Sequence, residues 1–166
     1  VSTTENISNI INIANKRAES LCRNRWGNLN PNGDVICAKN GGSIDPKRYA
    51  GKTIVIKEGD LTLTEYMEAT SQPITILLIH GDLILPNTNA NQTFLGNGYP
   101  DRDGIIKANF LKGNFIINGL IQDLGTEITN KLIVHGKIAS FNTLQEPNKQ
   151  TREKLSKIGI DINKKI

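Results

Sequence analysis

The chain has 166 residues, 37% of them hydrophobic and 22% charged, with a formal net charge of +4. Mean hydropathy is −0.32 and no apolar run approaches the roughly 18–20 residues that cross a bilayer, so a membrane-spanning helix is excluded and one soluble domain is expected. The charge excess is mild, aromatics are 5%, and no basic stripe is interleaved with aromatics, so nucleic acid is not an expected partner.

Residues 1–21 read as an amphipathic helix. Ile7, Ile10, Ile11, Ala14, Ala18 and Leu21 recur at three- and four-residue spacing and form one apolar stripe. Ser2-Thr3-Thr4-Glu5 matches a capping box. The stripe is expected to cover an open end of the core that follows. A membrane-surface or partner helix is the alternative.

Residues 22–50 are rich in Asn, Gly and Pro, and only Val35-Ile36-Cys37-Ala38 suggests a strand. The only two Cys, Cys22 and Cys37, fall here, 15 residues apart, with no CxxC and no His nearby. Zinc and a Cys–His nucleophile are therefore disfavoured, leaving buried thiols or a disulfide. A disulfide is favoured because it would staple a segment with little core of its own. It implies an extracytoplasmic location.

Residues 51–147 carry a repeated phrase, an apolar alternation around a Gly. It runs Ile54 to Leu63, Ile76 to Leu85, Ala108 to Ile117 and Lys131 to Ser140. Gly59, Gly81, Gly113 and Gly136 are spaced 22, 32 and 23 residues apart. A period near twenty with one lengthened coil indicates a solenoid. Alternation puts Leu61 with Leu63, Leu83 with Leu85, and Phe115 with Ile117 on one face, and each Gly at a corner. The expected fold is mainly β: a short right-handed parallel β-solenoid of about four rungs. An antiparallel β-sandwich is the alternative, with Asn118-Gly119 as a tight hairpin turn.

The second coil is lengthened by residues 87–104, which carry Phe94, Tyr99, Asp101, Arg102 and Asp103. Long loops on rigid scaffolds usually hold binding function, so these five are the candidate ligand contacts. Asp101-Arg102-Asp103-Gly104 opens like a calcium loop but lacks the later ligands, so no metal and no cofactor are expected. Residues 148–166 hold a short basic helix, Thr151 to Lys157, with Gly159 as its C-cap.

The stretches Leu132 to Thr143 and Thr53 to Leu61 resemble a pattern in uncharacterised β-rich, repeat-bearing surface or secreted proteins of uncultured bacteria. The resemblance spans about residues 51–147. It implies a β-rich exported domain and carries no catalytic residues. The Gly-Asp-apolar rhythm is also similar to bactofilin-like solenoids, although the insertion and terminal helices depart from their even repeats.

The expected function is thus a non-catalytic, extracytoplasmic structural or binding module of a bacterial surface protein. Its partner would be a cell-envelope component or a glycan, and its signal or anchor would lie outside this chain. Two alternatives are carried. One is a polysaccharide-acting β-helix enzyme, for which Asp60 and Asp82, or His80 and His135, would have to stack into a site. The other is a pilin-like subunit, with a more hydrophobic stretch upstream of Val1.

Overall fold

A computed structural model describes residues 3–68, 70–86, 92–93, 107–123, 132–141, 153, 156 and 164–165. It begins with helix α1, Thr3–Leu21. Strands β1 (Val35–Ile44) and β2 (Thr53–Leu63) follow, with a short 3-10 turn Pro46–Tyr49 between them. Next come β3 (Ile74–Leu78), β4 (Leu83–Leu85), β5 (Gln92–Thr93), β6 (Lys107–Ile117), β7 (Ile121–Asp123), β8 (Leu132–Ala139) and β9 (Lys164–Lys165). All pairings are parallel except the short one between β5 and β6. The chain is a parallel β-solenoid of about three turns with one N-terminal helix.

The first side of the coil stacks Ile36 on Ile54, Ile76, Phe115 and Ile138, one residue per rung. Beside it runs Ala38, Ile56, Leu78 and Ile117. All nine point inward and are buried. The second side stacks Leu61, Leu83 and Ile121. Complete burial of each Ile or Leu in such a column contributes roughly 1.5–3 kcal/mol. The third side is made by the first half of β6, the first half of β8 and the connection before β3. There the Met67 amide donates to the Phe110 carbonyl at 2.8 Å, and Met67 is buried.

The glycine repeat is real but its copies are not all equivalent. Asp60 and Asp82 do lie one rung apart, with Gly59 and Gly81 at the same corner. The third glycine of that corner is Gly119, because Leu83 pairs with Ile121. Gly113 and Gly136 stack on each other at a different corner, where Ile74 pairs with Gly113. Asn118-Gly119 is therefore a solenoid corner and not a hairpin turn: β6 and β7 on either side of it both pair in parallel with the rung before. The corner admits only glycine, since a Cβ on Gly81 or Gly119 would overlap the carbonyl of the preceding rung's glycine.

The stack also begins earlier than the repeat. β1 pairs with β2 from Val35↔Thr53 to Ile44↔Leu63, with an irregularity between Asn40 and Gly42. Asn40-Gly41-Gly42, which reads as loop, is this rung's corner.

Helix α1 does not cover the end of the coil. It lies along the outside of the first side, where Ala18 and Cys22 pack with Cys37, Val55 and Ile79. Val55 points away from the coil interior and is nonetheless buried, so β2 is covered on both faces. The Asn15 side-chain amide donates to the Ile79 carbonyl at 3.4 Å. Ile11 is fully buried, whereas Leu21 is 45% exposed, so Cys22 takes the place expected for Leu21 at the end of the stripe. The expected capping box at Ser2 and Glu5 lies outside the described side chains.

The first end of the coil is covered instead by the loop after α1. Gly27 bridges to Ala38, donating to the Cys37 carbonyl and accepting from the Lys39 amide. Leu29 packs against the core. Cys22 and Cys37 form a disulfide with a Cα–Cα distance of 5.6 Å, fastening the end of α1 and this loop to β1. A closure of 15 residues stabilises by about 3 kcal/mol in the chain-entropy model. Of the expected C-terminal helix, only Glu153 and Ser156 are described, and both are helical.

Candidate functional site

The contacts expected in the insertion, Phe94, Tyr99, Asp101, Arg102 and Asp103, all lie outside the described residues. Of the insertion only β5 is described, and it pairs antiparallel with the start of β6 at Gln92↔Ala108 and Thr93↔Lys107.

Asp60 and Asp82 stack, and their carboxylates are engaged in holding the corners. Asp60 Oδ1 accepts from the Asp82 amide at 2.8 Å. Asp82 Oδ1 accepts from the Leu120 amide at 2.8 Å, and its Oδ2 accepts from the Gln122 side chain. Each aspartate thus reaches one rung forward and satisfies a backbone donor at the turn. The two histidines do not come together. His80 is exposed at the Gly81 corner, while His135 pairs with Lys112 on the third side and its ring lies 6.4 Å from that of Phe110. Among the described residues no group of three or more His, Cys, Asp or Glu could hold a metal ion. No helix among them is long and apolar enough to cross a membrane.

A different site emerges where α1, the disulfide loop and β2 meet. Lys16, Glu19 and Ser20 share a face of α1, and Arg23 continues their spacing in the turn that follows. Asn24, in the turn after the helix, has φ 60°, a left-handed conformation that asparagine tolerates better than most residues. That turn sends the chain back towards the sheet, and the Arg25 amide donates to the Cys22 carbonyl at 2.9 Å. Trp26 then packs half-buried against the cluster of Ala18, Cys22, Cys37, Val55 and Ile79. From β2, Lys57 reaches over it, with its ammonium 5.6 Å from the indole centre.

These side chains line an open groove of about 560 Å³. Three cations face one carboxylate, and among the described residues none forms an ion pair with Lys16, Arg23 or Lys57. The lining also includes the residues Trp26, Ser20 and Asn24, which carry an indole, a hydroxyl and an amide. The disulfide fixes the relative position of the parts, because Cys22 precedes Arg23 to Trp26 and Cys37 sits on the rung beside β2. Half of this groove was readable in the chain as a polar helix face. The other half was not, because Lys57 meets Trp26 across a separation of 31 residues.

Compared with protein-family models, curated proteins and solved structures, the chain finds no match in any of the three.

Proposed function

We propose that the chain is a non-catalytic, extracytoplasmic structural and binding module of a bacterial surface protein, directed at a glycan or another envelope component. The observation that carries this reading is the Cys22–Cys37 disulfide. It fastens the cap of the solenoid, and such a bond persists in oxidising compartments and is reduced in the cytosol. The stack supports the reading as a rigid scaffold, and the corner aspartates are occupied in structure and not aimed at a substrate.

The test is thiol labelling of the chain in cells of its source. An exported protein shows no alkylation before reduction and two alkylated Cys after it. Two thiols that label without reductant would overturn the reading.

A pilin-like subunit is the second reading. It is favoured by α1 lying along the outside of the β-core and not across its end. It requires the natural chain to continue upstream as an apolar helix and to assemble into filaments visible by electron microscopy.

A further inference from the structure

We infer that the groove between α1 and β2 is a binding site for an acidic saccharide, a sugar unit bearing a carboxylate or sulfate. This rests on the proposed extracytoplasmic binding role and assigns its site and ligand class.

Each part of the groove matches one part of such a ligand. Lys16, Arg23 and Lys57 supply cationic donors for a carboxylate or sulfate, and Arg can engage it with two parallel hydrogen bonds. The indole of Trp26 supplies the apolar surface on which the C–H face of a pyranose rests. Glu19, Ser20 and Asn24 supply acceptors and donors for ring hydroxyls. The volume of about 560 Å³ falls in the range of small-ligand sites.

The placement of Lys57 is informative. Its ammonium lies over the indole and not against a carboxylate. A cation–π contact at an accessible site is weak, about 0.5–1 kcal/mol, so Lys57 can turn to an incoming anion at small cost. Nucleic acid fits less well. Single strands bind along successive aromatic platforms, and this groove has one indole, with a carboxylate beside it. An acidic peptide would use the cations but has no need of a sugar-sized indole.

Trp26 is the only tryptophan of the chain, so its fluorescence reports on the groove directly. The experiment titrates the intact disulfide-bonded chain with a trigalacturonate, a sulfated heparin tetrasaccharide, a neutral cellotetraose, an oligothymidylate, a hexaglutamate peptide and inorganic sulfate. The expected result is a saturable change with one or both acidic saccharides. Which of the two binds separates carboxylate from sulfate recognition. Neutral sugar, peptide, oligothymidylate and free sulfate should each bind at least tenfold more weakly.

Lys57→Gln and Arg23→Gln should each weaken acidic-saccharide binding about tenfold, the size expected for one lost charge-assisted contact. Both side chains are exposed, and unchanged urea midpoints show that the variants fold. Silence with both acidic saccharides overturns the proposal, as does equal or tighter binding of any other probe. Full binding by both folded variants also overturns it. Thiol labelling reads the compartment independently, so a failure of the export reading and a failure of this site are told apart.

Discussion

Gly113 stands at the corner where β6 passes from the third side of the coil to the first, with φ 145°. A Cβ there would overlap the Ile74 carbonyl of the rung beside it. That carbonyl belongs to a parallel ladder and cannot retreat without breaking it. Gly113→Ala therefore combines a disfavoured backbone angle with a backbone clash, and a loss of about 3 kcal/mol or more is expected. Urea unfolding against the wild-type chain measures it. Tyr49 gives a second residue-scale expectation. It is buried beside the core, and burial, only partly offset by the nearby Arg48, holds its phenol above its ordinary value of 10.0. A raised value means the folded state keeps the proton longer than the unfolded chain does. The associated stability is therefore intact below pH 10 and is lost as pH rises beyond it. Lys47, raised chiefly by its hydrogen bond to Glu65, acts in the same direction, but this exposed pair contributes little. Unfolding midpoints should fall as pH is raised from about 10 to 11, and Tyr49→Phe should flatten that fall without abolishing it.

Among the elements, α1 shows how far a periodicity can be trusted. Its stripe correctly gave a helix with one buried face, but not which residues close it or what it faces. Ile11 is fully buried, and Ile13, two residues on, is 53% exposed. Ile11→Ala should cost about 2–4 kcal/mol by cavity formation, and Ile13→Ala under about 0.5 kcal/mol. Equal costs in denaturant titrations would show that the helix packs in another rotation. The partner surface was hidden because the buried outward residues Val55 and Ile79 sit in runs that are apolar on both parities, Ile54-Val55-Ile56 and Leu77-Leu78-Ile79. The strand pattern there reads as one buried face where there are two. The repeat was legible for a related reason and mis-registered for the same one. Gly113 and Gly119 are both flanked by apolar alternation, and alternation of period two looks alike on either side of a corner. Only the pairing of Leu83 with Ile121 shows that Gly119 continues the Gly59 and Gly81 corner. Sequence reasoning placed the binding residues in the insertion because loops commonly carry function. Those residues lie outside the described ones; the proposed groove joins a helix face, a disulfide loop and one strand residue, a combination no local pattern announces.

For the molecule as a whole, the decisive problem of a short parallel stack is its two ends. A solenoid presents open β-edges that would template another copy. Here the first end is closed by the loop after α1, through Gly27 on β1 and Leu29 on the core, and the disulfide holds that loop in place. On the other end, β9 pairs with β8 at Lys137↔Lys164 and Ile138↔Lys165. This two-residue strand satisfies part of the β8 edge, and its sequence is Lys-Lys, a residue type that disfavours edge-to-edge pairing. Ending the chain at Asn163 removes the pairing at Lys137 and Ile138, next to the buried Ile138 and Ala139. The shortened chain should show a mass by light scattering that rises with concentration towards about 100 μM, while the full chain stays constant. If the shortened chain also stays constant, the edge is protected by elements other than β9, and the lysine strand is dispensable to keeping the stack single.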